Sequence, residues 1–185
     1  IARYADGFGA AYRDGFTVAE ALNDMAIIDR LTPERRRLVN LYRRKGDEAH
    51  RANLKVFSLG EAVSLSERVP LLEGLGFKVI NERTYRIAAE SRQIWLHDMA
   101  LERAVGGPID IAAIDPRIEA ALMALFHGQT ESDRLNALIL EAGLAWREAA
   151  MLRTLSRYAQ QIRAPYGQDY IAETLKKHAG VAASL

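Results

Sequence analysis

The 185-residue chain contains no cysteine, which excludes a disulfide framework, a thiol nucleophile and a thiolate metal site, and is compatible with a reducing compartment. It also lacks an excess of either charge. Lys+Arg 25 against Asp+Glu 24 leaves +1, so there is no electrostatic case for nucleic acid or an anionic membrane as a partner. No apolar run approaches the roughly twenty residues of a membrane span. There is no Walker loop, no nucleophile elbow and no glycine-rich turn between strand and helix that would cradle a phosphate. Gly7-Phe8-Gly9 lacks the third glycine and the preceding strand of a dinucleotide fingerprint. His50, His97, His127 and His178 are scattered without the paired spacing of a metal site. Glu61, Glu67 and Glu73 fall around one helix at ordinary surface spacing, and Arg35-Arg36-Arg37 reads as solvated edge charge. Residue types alone therefore give no catalytic constellation, no metal and no cofactor in this chain.

What is present has an ordinary globular composition, 49% hydrophobic and 26% charged, enough for one larger domain or two small ones. The chain opens at Ile1, with neither Met nor a signal-like segment, and reads as an excerpt from a longer polypeptide.

The organising stretch is 54–101. Leu54 and Val56 alternate against Phe57 and Leu59, which describes a strand buried on both sides. A helix follows, capped by Ser66 with Pro70 in its first turn, or by Ser64 in a capping box with Glu67, a choice that drives Pro70 deeper into the helix. Gly76 supplies the left-handed residue that ends it. Phe77, Val79, Tyr85 and Ile87 then alternate against Lys78, Glu82 and Arg86 in a strand, residues 88–91 turn the chain, and 93–102 returns as IWLHDMAL. His97 and Asp98 are strand neighbours, so they point to opposite faces and cannot form an acid–base couple.

Before this stretch, residues 1–16 form a glycine- and aromatic-rich lead-in. Thr17 with Glu20 forms a capping box at the start of a helix over 17–31. A short strand over 38–43 then pairs with 54–59 as a hairpin. The order helix, strand, strand, helix, strand, strand (αββαββ) is a circular permutation of the ferredoxin-like order. The fold class expected is α+β: a four-stranded, antiparallel-rich ferredoxin- or ACT-like sheet over 17–105, followed by an all-helical subdomain over 106–185. The strands 54–59 and 93–102 are expected centrally and parallel, joined through the helix near 66–74, with helix 17–31 on the same face of the sheet.

Gly106-Gly107-Pro108 marks the boundary. Beyond it, Asp115-Pro116 is expected to open a helix, followed by helices near 132–142, 146–162 and 168–178. These helices carry more apolar surface than short elements bury alone, so they are expected to pack back on the sheet.

The stretches LSERVPLLEGLGFKVINERTYRI, IWLHDMAL and ESDRLNALILEAGLAWREAAMLRTLSRYAQQIRAPYGQDYIAETLKKH resemble the large bacterial NAD-specific glutamate dehydrogenases. The likeness spans nearly the whole chain and is specific, because several long motifs recur in order. The resemblance implies a non-catalytic ACT-like region ahead of the catalytic domain, in a cytoplasmic, homo-oligomeric enzyme that uses NAD to deaminate L-glutamate to 2-oxoglutarate and ammonia. It implies as partners the catalytic domain and the neighbouring ACT-like modules of the same polypeptide. No catalytic residue carries over. Gly60, Glu61 and Ser64 stand where an ACT module places its effector loop, but Gly60 precedes Glu61, whereas the family pattern has the acidic residue first. Ala145 stands where the family places serine ahead of Trp146-Arg147-Glu148, forgoing roughly 1 kcal/mol of capping. A free-standing ferredoxin-like small-molecule-binding or protein-interaction module is the alternative, and a small enzyme using His97 or the carboxylates is a third.

Strand 93–102 does not alternate cleanly. It sets Ile94 and Leu96 against Trp95, His97, Met99 and Leu101, and by the same parity reading Phe57 joins the second group. These five residues, Trp95, His97, Met99, Leu101 and Phe57, are the candidate interface, because an apolar face left open would exceed what a soluble monomer tolerates.

Overall fold

A computed structural model describes residue 4 and residues 6–184; residues 1–3 and 5 of the expected lead-in, and residue 185, lie outside the described residues. The elements are α1 (Ala10–Gly15), α2 (Val18–Ile28), β1 (Arg37–Tyr42), β2 (Arg51–Leu59), α3 (Leu65–Gly74), β3 (Phe77–Ala89), β4 (Arg92–Arg103), α4 (Ile111–Phe126), α5 (Ala137–Glu141), α6 (Trp146–Gln161), α7 (Gln168–Lys177) and α8 (Ala179–Ala182). The class is α+β, with one four-stranded sheet in the order β1-β2-β4-β3.

Every strand pair is antiparallel, including the central pair β2 and β4, which corrects the expected parallel pairing. The reason lies in the crossover: α3 carries the chain past the β4 position to β3 at the far edge, and the two-residue turn at Glu90 and Ser91 brings β4 back between β2 and β3. β2 and β3 thus run parallel but are separated by β4. Register then assigns faces, because directly opposed residues share a side. Leu54 opposes Met99 and Ala52 opposes Leu101 on one face, whereas Phe57 opposes Leu96 on the other. Phe57 therefore lies on the face away from His97, Met99 and Leu101.

The helices follow this division. On the first face, Leu72 and Leu75 from the α3 segment and Ile114, Ile118, Ala121 and Leu122 of α4 close over Leu54, Val56, Met99 and Leu101. On the second, Ile27, Ile28 and Leu31 join Phe8, Tyr12 and Phe16 over Leu38, Phe57, Ile94 and Leu96. Helix α2 thus covers the face opposite α3, a correction to the shared face expected for the two. The second helix of the α3 layer is α4, which begins a turn earlier than expected because Asp110, not Asp115, caps it; Asp110 Oδ1 accepts from the Ala113 N–H at 3.3 Å.

Local signals explain the rest. Thr17 and Glu20 form the expected reciprocal box at the start of α2. At α3 the cap is Ser64, whose Oγ accepts from the Glu67 N–H at 3.2 Å, and Pro70 sits inside the helix on an exposed face. The helices after 130 collect Leu135, Leu138, Leu144, Leu152, Ala172 and Ala182 into a smaller cluster of their own. Gly76, at φ +91°, lies under this part: a Cβ there would stand 3.3 Å from Ala137 Cβ.

Candidate functional site

The 60–64 loop between β2 and α3 is held by side chains from β4 and α3. Gly60 turns it at φ +86°. Two β4 side chains grip it: Trp95 Nε1 donates to the Gly60 carbonyl at 3.2 Å, and His97 Nε2 accepts the Val63 N–H at 3.2 Å. Arg68, buried in α3, donates to the Val63 carbonyl and pairs with Glu82 of β3. The structure therefore brings together Gly60, Ser64, Trp95 and His97 from the two sequence-selected sets. Met99 and Leu101 lie deeper in the same core, and Phe57 lies across the sheet. Of the five candidate interface residues only Trp95 reaches solvent, where the Arg86 guanidinium stacks over its ring at 5.2 Å.

His97 is fixed in one neutral form. With Nε2 accepting from Val63, the hydrogen belongs on Nδ1, which faces Thr84 Oγ1 at 3.0 Å and Glu82 Oε1 at 3.3 Å. Burial first, and the neighbouring Arg68 guanidinium second, hold its pKa below the ordinary imidazole value, with Glu82 pulling the other way. A histidine so committed is a poor general base, since its acceptor nitrogen is already occupied. Asp98, on the opposite face as expected, accepts from the Tyr42 hydroxyl at 2.7 Å and pairs with Arg44.

Outside the loop lies a cleft of about 260 Å³ lined by Arg36, Arg37, Glu61, Ala62, Phe126 and His127 among others. Arg36 donates to the Leu59 carbonyl at 3.1 Å, and the Arg37 guanidinium sits 5.0 Å over the Phe126 ring while pairing with Glu67. Two residues of the basic run read as solvated edge charge thus form a wall of this cleft. Glu61 is exposed at its mouth.

A second polar cluster was not visible from residue types. Lys55, only 2% exposed, extends from β2 to the fully buried Asp24 of α2, with Nζ 2.9 and 2.7 Å from the two carboxylate oxygens. The Tyr12 hydroxyl donates to Asp24 at 2.5 Å, and Lys55 Nζ lies 4.0 Å from the Phe16 ring and 5.0 Å from that of Tyr42. Burial beside Asp24 pushes the Tyr12 hydroxyl far above its ordinary value, so it stays a donor. The available signal was a lysine inside the apolar run of a doubly buried strand, with the parity of Phe57. Among the described residues, no group of three or more His, Cys, Asp or Glu side chains is placed to hold a metal ion.

These observations define a class first: an antiparallel α+β module with one rigidly gripped strand-to-helix loop, bracketed by helical segments. Residues 37–114 match the family model of the glutamate dehydrogenase ACT3 domain, residues 1–31 that of glutamate dehydrogenase helical motif 2, and residues 130–185 that of helical motif 3. The chain belongs to the glutamate dehydrogenase family, as the ACT3 domain with its two flanking helical motifs. It is 36% identical over 185 residues to an NAD-specific glutamate dehydrogenase of Halomonas elongata, covering all of this chain and 12% of that protein. Counterparts of the same name from Pseudomonas aeruginosa and Mycobacterium tuberculosis are 32% and 33% identical, over 100% and 98% of this chain and 12% and 11% of their own lengths. The chain thus spans about an eighth of the curated relatives it matches.

Proposed function

We propose that this chain is a non-catalytic regulatory and architectural segment of a large NAD-dependent glutamate dehydrogenase, whose full polypeptide oxidatively deaminates L-glutamate to 2-oxoglutarate and ammonia in the cytoplasm as a homo-oligomer. The carrying observation is the match of three consecutive modules of one family, in order, along nearly the whole chain. The geometry supports it. The one buried histidine has its acceptor nitrogen committed to a backbone N–H, and Ser64 Oγ is engaged as a helix cap. In this reading NAD binds elsewhere in the polypeptide, and the working scheme is a lead-in over 1–16, an ACT-like unit over 17–105 and a helical subdomain over 106–185. The partners are the catalytic domain and neighbouring ACT-like modules. Gly60, Glu61 and Ser64 form the loop at which an effector would be felt, and Trp95 is the point where a neighbouring module would touch that loop.

The test pairs two measurements. The full-length protein is expected to reduce NAD with glutamate, while the 1–185 polypeptide, folded by circular dichroism, is expected to show no turnover and no calorimetric binding of NAD at micromolar concentration. Saturable NAD binding by the 1–185 polypeptide would overturn the assignment.

A further inference from the structure

Helix α6 has two opposed faces with different fates. Its inner face carries Ala149, Leu152, Arg153 and Ser156, all buried. Arg153 is bolted down there, donating to both carboxylate oxygens of Asp133, to Asn136 Oδ1 at 2.7 Å, to the Glu131 carbonyl at 3.1 Å and to Thr130 Oγ1 at 3.1 Å. The rotation of the helix is therefore set. Its outer face presents Met151, Leu155 and Tyr158, continued by the C-cap residue Ile162, and these are 49%, 55%, 59% and 62% exposed. Their spacing of four, three and four residues is a heptad seam, and at 100° per residue they fall within a narrow stripe. Thr154 and Gln161, beside the stripe, carry no charge.

We infer that this stripe is the seat of an amphipathic helix from the same polypeptide outside residues 1–185, with apolar residues at heptad spacing, packed at the shallow crossing angle of coiled-coil pairs. The inference rests on the reading of the chain as part of a longer dehydrogenase. Two observations choose the occupant. The stripe is about 16 Å long, and four half-exposed side chains offer a few hundred Å², against roughly 800 Å² per partner in stable complexes between separate chains. A contact so small holds when its partner is tethered at high effective concentration. The relatives matched here are about eight times longer than the chain, which supplies the tether. The uncharged flanks give no electrostatic selection, so recognition falls to apolar fit.

The experiment is cysteine labelling in the full-length protein, read by peptide mass spectrometry, with Leu155→Cys and Tyr158→Cys in the stripe and Gln160→Cys as an exposed control off it. The stripe positions are expected to react with maleimide at least about tenfold more slowly than the control, at a rate unchanged on dilution. Equal rates would overturn the proposal. Slow labelling that recovers on dilution would assign the stripe to a second copy and equally overturn it. Glutamate-dependent NAD reduction by the same unlabelled protein reports separately on the dehydrogenase reading.

Discussion

Leu54 and Lys55 are consecutive residues of β2, both withdrawn from water, and they face opposite ways. Leu54 lies between Leu41 and Met99 on the neighbouring strands, in a cluster with the inner side of α4 that is built by apolar fit. Lys55 meets Asp24, which also accepts from Tyr12, and the rings of Phe16 and Tyr42. The two environments hold the same sheet by different physics. Apolar contact is non-directional and tolerates repacking of similar volume, whereas a buried ion pair accepts one geometry and is costly when half of it is missing. Desolvating two charges offsets much of their attraction, so the Asp24–Lys55 pair orients α2 on the sheet more than it strengthens the packing.

The sharpest way to separate the two faces is to remove one partner on each. Asp24→Ala leaves Lys55 buried and unpaired and is expected to destabilise by roughly 3–5 kcal/mol in urea unfolding, while the double change Asp24→Leu with Lys55→Met is expected to recover most of that loss. If the double variant is as unstable as the single one, the pair contributes through its charges and the comparison fails. On the other face, Leu54→Ala is expected to cost about 2–5 kcal/mol through lost burial and a residual cavity, measured in the same way, and Leu54→Met under about 1.5 kcal/mol.

The smallest effect concerns pH. Because His97 is held below its ordinary value in the folded chain, the unfolded chain binds the proton more readily between the two pKa values. Stability is then fully present above the ordinary value and declines as pH falls through the lowered one, by at most about 1.4 kcal/mol per pH unit for one proton. Thermal melts between pH 7 and pH 5 are expected to show this slope in the native chain and to lose most of it in His97→Gln.

Much of the fold was legible because its signals are local. The Thr17–Glu20 box and the positive-φ Gly76 each lie within a few residues, and the strands were found to within about three residues of their ends. Faces were not legible, since the side occupied by Phe57 relative to Met99 depends on which strand pairs with which and in what register. The ferredoxin-like order that suggested a parallel β2–β4 pair also put α2 on the wrong face. The loop grip was partly legible. Gly60, Ser64, Trp95 and His97 were all singled out, but what joins them is a tertiary contact between segments more than thirty residues apart. Lys55 and Asp24 were missed because a lone lysine and a lone aspartate each read as surface until the other is placed opposite.

The aromatic residues of the lead-in carry a consequence for where this region can be divided. Tyr4, Phe8, Tyr12 and Phe16 recur every four residues and stack in succession, with Tyr85 of β3 edge-on to the last two. The ACT3 family match begins at residue 37, yet half of that module's core is roofed by residues of helical motif 2. Cutting between them would strip Phe57, Ile94 and Leu96 of their cover and Lys55 of its counter-ion. The boundary drawn by sequence families is not a seam in the physical object: the sheet face that such a cut would bare is the one closed by residues of helical motif 2.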